Sequence, residues 1–233
     1  MLFVWYKVSF DEKWSHGSDV CETVYFFVEF VCVFPWKCVS LNNQNRGKIM
    51  DGILRKLPIG IQTFEKLREG DYLYVDKTAL VWRIASTETP YFLSRPRRFG
   101  KSLLLSTFEA YFEGKKELFE GLAIADMEKE WKTYPLFHLD LNAEKYDSPQ
   151  ALVEILSRQL TQWELKYGKG EDEETLSGRF AGVIRRACEQ SGRGVVVLVD
   201  EYDKPLLQAL GDDALLDDYR KTLKAFYGVL KSS

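Results

Sequence analysis

The residues best suited to chemistry lie in a basic loop just before a helical pattern. Gly100, Lys101 and Ser102 match the end of the P-loop pattern GxxxxGK[ST], and Arg95 stands where that pattern has its first glycine. In such a loop the glycine lets the backbone approach phosphate, the lysine neutralises phosphate oxygens, and the hydroxyl binds Mg²⁺. The predicted nucleotide contacts are nine consecutive residues: Arg95, Pro96, Arg97, Arg98, Phe99, Gly100, Lys101, Ser102 and Leu103.

A second set of reactive residues follows a strongly apolar run. Residues 195–199 are all apolar, which favours a strand buried on both faces of a parallel sheet, and Asp200 and Glu201 come directly after it. Because ligands bind at the carboxyl ends of such strands, we predict that Asp200 binds Mg²⁺ together with Ser102. Glu201 is predicted to be the general base that activates water, and Lys101 is the second predicted catalytic residue. A small-molecule kinase does not need this base, so that class is disfavoured.

Each motif also has a simpler interpretation. The basic loop can be a solvated turn before an ordinary helix, and the Asp200–Glu201 pair can be an acidic turn after a strand. His138 and Asp140 share one face of a predicted strand, and they are either a catalytic pair or a core histidine beside a strand-end acid. The presence of both motifs in one chain favours a nucleotide site over two unrelated turns.

The elements around the motifs alternate between strand and helix patterns. Short apolar runs predict strands at residues 72–75, 91–93, 136–141 and 195–199. Helical spacing of apolar residues predicts helices that begin near Thr63, Thr78, Lys101, Pro149, Leu176 and Asp213. This alternation indicates an α/β fold in which helices cover a mostly parallel sheet.

The composition argues against several classes of function. Of the 233 residues, 45% are hydrophobic and 29% are charged, and the net charge is −3. We therefore expect a globular chain without a basic field for nucleic acid or an anionic membrane. The four cysteines include no CxxC pair, which argues against a zinc site. Only Cys188 lies in the region that carries the motifs, and this fits a reducing cytoplasm.

The first 49 residues differ from the rest of the chain. They are rich in aromatic residues and lack a regular apolar period, and the longest apolar stretch, around residues 24–36, contains Glu29. A membrane helix needs about 20 apolar residues, so no membrane span is predicted there. Because the pattern becomes orderly after Met50, we interpret 1–49 as an extension without function and 50–233 as the P-loop domain. Deleting the extension is expected to leave nucleotide binding intact.

In these motifs the sequence resembles the AAA-ATPase-like family, a group of mostly bacterial P-loop proteins. The resemblance rests on four blocks in a fixed order, at residues 57–61, 74–78, 95–102 and 200–203. The family also has Arg in place of the first P-loop glycine. The resemblance implies a P-loop three-layer sandwich with sheet order 5-1-4-3-2, and ATP and Mg²⁺ as cofactors. Many members continue into a domain that looks like a PD-(D/E)XK nuclease.

Two departures from the family pattern affect the expected function. The chain has the extension 1–49, and it stops at Ser233, so we expect the domain to be C-terminally incomplete. The strand that the family places between the P-loop strand and residues 195–199 is then expected to be missing, which leaves backbone groups unpaired. The leading hypothesis is Mg²⁺-dependent ATP hydrolysis, weak in this chain. The alternative is a nucleotide-dependent binding module or switch without significant turnover.

Overall fold

The computed structural model describes residues 2–8, 55–87, 90–94, 99–142 and 145–231. Its strands are β1 (Leu2–Val8), β2 (Tyr91–Ser94), β3 (Leu136–Asp140) and β4 (Val195–Asp200). Its helices are α1 (Phe64–Glu69), α2 (Thr78–Ala85), α3 (Lys101–Phe112), α4 (Ala123–Met127), α5 (Pro149–Tyr167), α6 (Leu176–Ser191), α7 (Lys204–Gln208) and α8 (Asp213–Gly228). The described chain is thus a mixed α/β structure with more helix than strand.

The four strands form one sheet in the order β2-β1-β4-β3. β3 pairs with β4 in parallel, while β1 is antiparallel to both of its neighbours. Three strands, β2, β3 and β4, therefore point the same way. The carboxyl ends of β3 and β4 are level with each other, because Asp140 is the register partner of Asp200. This edge carries the acidic residues that the sequence singled out.

Each face of β4 packs against a different group of helices. Val197 and the other odd-numbered residues join a core with α5, α6 and α8. Val196 and Leu198 join a second core with Phe108 of α3 and with residues of α1, α2 and α4. Full burial of such a side chain contributes about 1.5–3 kcal/mol, so β4 anchors both helical layers. The unbroken apolar run predicted this burial on both faces.

Most of the predicted elements are present, and one is wrong. Residues 72–75 do not form a strand: Tyr72 makes an isolated bridge to Lys56, and Leu73 and Val75 are 46% and 71% exposed. The segment is apolar, but among the described residues no strand lies beside it to form a ladder of hydrogen bonds. The short helices α4 and α7 were not predicted, because five residues are too few to show a helical period. No helix in the described ranges is long and apolar enough to cross a bilayer.

The predicted empty position in the sheet is also wrong. β1 lies between β2 and β4, where Val4 is level with Phe92 on one side and Val199 on the other. A strand from the first residues of the chain therefore pairs with both neighbours that were expected to face a gap. From residue 9 to residue 49, the predicted extension lies outside the described residues. The division of the chain at Met50 stays a prediction, but Leu2–Val8 contribute a central strand.

Because β1 lies in the middle of the sheet, we expect Leu2–Val8 to contribute to stability, while the effect of residues 1–49 on nucleotide binding stays a prediction. Trp5 is level with Tyr91 of β2 and Leu198 of β4, and proline has no N–H to donate to either strand. We expect Trp5→Pro to have a lower melting temperature than Trp5→Val when unfolding is measured by circular dichroism. Valine keeps the N–H and favours strands, so it is the matched control. Equal melting temperatures for the two variants would contradict a central β1.

Candidate functional site

Helix α3 begins directly after a glycine in the left-handed conformation. Gly100 has φ +74° and ψ +26°, and its carbonyl accepts the N–H of Leu104 at 3.0 Å. A Cβ at Gly100 would meet no heavy atom within 4 Å, so the backbone conformation, and not space, favours glycine there. The first N–H groups of α3 have no partners within the helix, and they carry the positive end of its dipole. The turn can therefore bind an anion.

The structure describes five of the nine predicted nucleotide contacts: Phe99, Gly100, Lys101, Ser102 and Leu103. Lys101 is only 7% exposed, whereas Phe99 is 56% exposed. The other four predicted contacts lie outside the described residues; they are Arg95, Pro96, Arg97 and Arg98. A lysine with so little exposure needs negative charge nearby, because burying an uncompensated ammonium group is costly. The acidic end of β4 supplies that charge.

Ser102, in the first turn of α3, faces the carboxyl end of β4. Its hydroxyl donates a hydrogen bond to Asp200 Oδ2 at 3.5 Å, and Asp200 Oδ1 accepts the N–H of Glu201 at 2.9 Å. Burial raises the pKa of Asp200, and the carboxylate of Asp140 adds to this effect, although His138 and Ser102 oppose it. The folded chain therefore holds Asp200 where a negative charge is unfavourable unless a cation is near.

The oxygens of Ser102 and Asp200 are suited to Mg²⁺. This ion takes oxygen ligands at about 2.0–2.1 Å in octahedral geometry, so adjacent ligands lie about 3 Å apart. The 3.5 Å between Ser102 Oγ and Asp200 Oδ2 is close to that separation. Mg²⁺ usually keeps several water or phosphate ligands besides one or two protein groups, so these two residues form a sufficient protein contribution.

Glu201 has an unusual backbone conformation. Its φ is +53°, in the left-handed region that residues with a Cβ rarely adopt, and the residue is 9% exposed. Burial raises the pKa of Glu201, and the charge of Asp200 raises it further, while the ammonium group of Lys101 lowers it. Strained residues of this kind cluster at functional sites. The turn after β4 thus brings a buried carboxyl close to the buried lysine of α3.

A further polar pair lies behind these residues on the same face of the sheet. His138 Nδ1 of β3 is 2.7 Å from Glu109 Oε1 of α3. Burial lowers the pKa of His138, but the hydrogen bond to Glu109 and the charges of Glu109, Asp140 and Asp200 raise it above its ordinary value. The hydrogen bond of His138 thus runs to Glu109 of α3, and its pairing with Asp140 in catalysis stays a prediction.

Sequence reasoning did not identify Glu109. It lies seven residues after Ser102, about two helical turns along the same face of α3. This spacing was visible in the sequence, but it becomes informative only when α3 is known to pack on β3. Asp140 was considered as a catalytic partner of His138 or as a strand-end acid, and the parallel register brings it level with Asp200.

One block behind the family resemblance has a structural role away from this site. Asp76 Oδ1 accepts the backbone N–H of Thr78 at 2.8 Å, and Asp76 Oδ2 accepts the N–H of Ala123 at 2.7 Å. Thr78 Oγ1 in turn accepts the N–H of Ile124 at 3.1 Å. The two side chains satisfy backbone donors at the starts of α2 and α4, and so hold these helices together.

Comparison with known proteins confirms the resemblance. A family model described as Predicted AAA-ATPase matches residues 58–233. The chain is 42% identical over 180 residues to a protein of Azotobacter chroococcum mcd 1 described as "Uncharacterized protein in vnfD 5'region". That alignment covers 77% of this chain and 35% of the relative, so the chain spans about a third of the relative's length. No solved structure gives a significant match.

The raised pKa of Asp200 predicts that this carboxylate destabilises the fold. A carboxyl whose folded pKa is raised favours the protonated folded state, so its own contribution to stability is fully present at acid pH and is lost as pH rises through the folded pKa. In Mg²⁺-free buffer we expect Asp200→Asn to melt at a higher temperature than the parent at pH 8. The difference should shrink near about pH 4, where an ordinary aspartate is half protonated. The exposed Asp172→Asn is the control, and a lower melting temperature for Asp200→Asn at pH 8 would contradict the account.

Proposed function

The chain belongs to the predicted AAA-ATPase family, and on that premise we propose that it binds ATP with Mg²⁺ and hydrolyses it. The observation that carries the proposal is the 3.5 Å contact between Ser102 and Asp200, which joins the start of α3 to the end of β4. An anion-binding helix start and a cation-binding carboxylate thus share one edge of the sheet, as phosphoryl transfer requires. We also propose that the sheet and its helical layers are a P-loop sandwich.

The residues of this edge have separate roles in the proposed reaction. The N–H groups of the loop and of the first turn of α3 bind phosphate oxygens, and Lys101 neutralises the charge between the terminal phosphates. Ser102 and Asp200 hold Mg²⁺, which when bound offsets charge on the phosphates. Because Lys101 is buried, its attraction to phosphate is screened less than it would be at the surface.

Glu201 is the proposed general base. Burial raises its pKa, and a carboxylate with a raised pKa accepts a proton from water more readily than an ordinary one. Its left-handed backbone at the end of β4 is a strained conformation for a residue with a Cβ. Another sequence could form an unstrained turn there, so the strain supports a functional role for this residue.

A nucleotide-dependent binding module without turnover is the second candidate. The observation that favours it is the attraction between Glu201 and Lys101, which lowers the pKa of Glu201 against the effect of burial. A carboxylate whose charge is stabilised by this lysine accepts a proton from water less readily. The two candidates share the binding site and differ only in whether Glu201 acts on water once phosphate has engaged Lys101.

Replacement of Lys101 tests the binding site. Lys101→Ala removes the buried cation of α3, and loss of a charge-assisted contact of about 1.5–3 kcal/mol predicts roughly 10- to 100-fold weaker binding of ATP. Calorimetric titration with ATP and Mg²⁺ measures the change. The exposed Lys221→Ala is the control, because its partner Asp217 is also exposed on α8. Unchanged affinity in Lys101→Ala would exclude this loop as the phosphate site.

Replacement of Glu201 separates the two candidates. Glu201→Gln keeps the size of the side chain but cannot take a proton, so ATP binding should persist while single-turnover hydrolysis falls about 10²- to 10⁴-fold. The exposed Glu189→Gln serves as the control. A parent chain that binds ATP and shows no turnover supports the binding module. Hydrolysis by Glu201→Gln at the parent rate would rule out Glu201 as the base.

A further inference from the structure

The hydrogen-bonded pair Glu109–His138 connects α3, which carries Ser102, to β3, which pairs with the strand that ends in Asp200. Glu109 lies on α3 two turns after Ser102, and His138 lies on β3 two residues before Asp140. The His138 Nδ1–H donates to Glu109 Oε1 at 2.7 Å, which is a short charge-assisted distance. The pair therefore joins the helix that begins at the phosphate loop to the strand beside Asp200.

The rest of the contact between α3 and the sheet is largely apolar. Leu105 and Phe108 of α3 pack in one core with Val196 and Leu198 of β4. Apolar packing is non-directional, so it holds the helix on the sheet without fixing its position along the helix axis to a fraction of an ångström. Hydrogen bonds have strict distances and angles, and the Glu109–His138 bond can fix that position.

The histidine is not explained by stability alone. His138 is level with Leu198 of β4, and both residues face α3, where an apolar side chain would fit. Its Nε2 is buried and has no hydrogen-bonding partner among the described residues. A buried polar atom without a partner destabilises the fold, so an apolar residue would serve a purely structural role better.

We propose that Glu109 and His138 are positioning residues that fix α3 along the sheet, and thereby set the separation of Ser102 and Asp200 for binding of Mg²⁺ with nucleotide. The inference rests on the proposed function and adds two residues to it. The pair acts through Ser102 and is assigned no contact with the phosphates. Its removal changes the Mg²⁺ dependence of binding, while the thermal stability of the chain stays the same or increases.

Variants can separate the two nitrogens of His138. His138→Asn keeps an N–H donor near the position of Nδ1, whereas His138→Gln places its amide nearer the position of Nε2. Glu109→Gln keeps an acceptor for the bond, and Glu109→Ala removes it. The double variant Glu109→Met with His138→Leu replaces the whole pair by apolar groups, which removes the partly buried polar atoms together with their bond.

The readout is the Mg²⁺ concentration that gives half-maximal ATP binding, measured by calorimetry on the full chain together with the melting temperature. Residues that orient metal ligands typically change metal affinity about 10- to 100-fold when removed, so we expect at least tenfold higher Mg²⁺ for Glu109→Ala, His138→Gln and the double variant. His138→Asn and Glu109→Gln should stay close to the parent. The double variant should melt no lower than the parent.

A buried ion pair on the other face of the sheet provides the control. Arg179 Nε donates to Glu164 Oε1 at 2.7 Å between α5 and α6, and both side chains are nearly buried. Glu164→Ala should lower the melting temperature without changing the Mg²⁺ dependence. This result would show that loss of stability by itself does not mimic loss of the positioning pair.

Three outcomes would overturn the inference. An unchanged Mg²⁺ dependence in Glu109→Ala and in the double variant would remove the pair from the site while leaving the proposed function intact. Rescue by His138→Gln and not by His138→Asn would show that Nε2 acts, and not the bond to Glu109. A parent chain that binds no ATP at any Mg²⁺ concentration would overturn the proposed function and this inference together.

Discussion

The packing of α3 against β4 is the interaction on which the rest of the structure depends. Phe108 and Leu105 bury their side chains against Val196 and Leu198, and this brings Ser102 within 3.5 Å of Asp200. Each fully buried Leu or Phe contributes about 1.5–3 kcal/mol, so several of them together outweigh one hydrogen bond to a carboxylate, which at 3.5 Å is also long. Apolar packing therefore holds α3 on the sheet, and the contact between Ser102 and Asp200 does not hold the two elements together by itself.

The same arrangement places destabilising groups at the edge of the sheet. Asp200 and Glu201 have raised pKa values because they are buried, Glu201 adopts a left-handed backbone, and Lys101 is almost fully covered. None of these features strengthens the fold, and each opposes it to some degree. A ligand that carries both a cation and phosphate would explain these features together. Its cation compensates the carboxylates, and its phosphate compensates the ammonium group of Lys101. The two apolar cores on either side of β4 supply the stability that offsets these features.

The sequence predicted the parts of this site that depend on local pattern. The start of α3 after Gly100, the strand before Asp200 and the helix that begins at Pro149 all follow from glycine, apolar runs and proline at a helix start. The parts that depend on pairing between distant segments were missed or wrong. Residues 72–75 have strand-forming side chains but pair with no strand beyond one isolated bridge. Leu2–Val8 pair with β2 and β4, and a local pattern in the sequence cannot predict which distant strands a segment pairs with. His138 was noted in the sequence but paired with Asp140, and Glu109 was not noted, because their bond exists only once α3 lies on β3.

The central claim is that the start of α3 and the end of β4 form one site for nucleotide and Mg²⁺. Calorimetric titration of the full chain with ATP, first in excess Mg²⁺ and then in EDTA, tests this claim most directly. The account predicts one molecule of ATP per chain in Mg²⁺ and clearly weaker binding in EDTA, because Ser102 and Asp200 then lack the ion that joins them to the phosphates. Equal affinity in both buffers, or no binding in Mg²⁺, would contradict it.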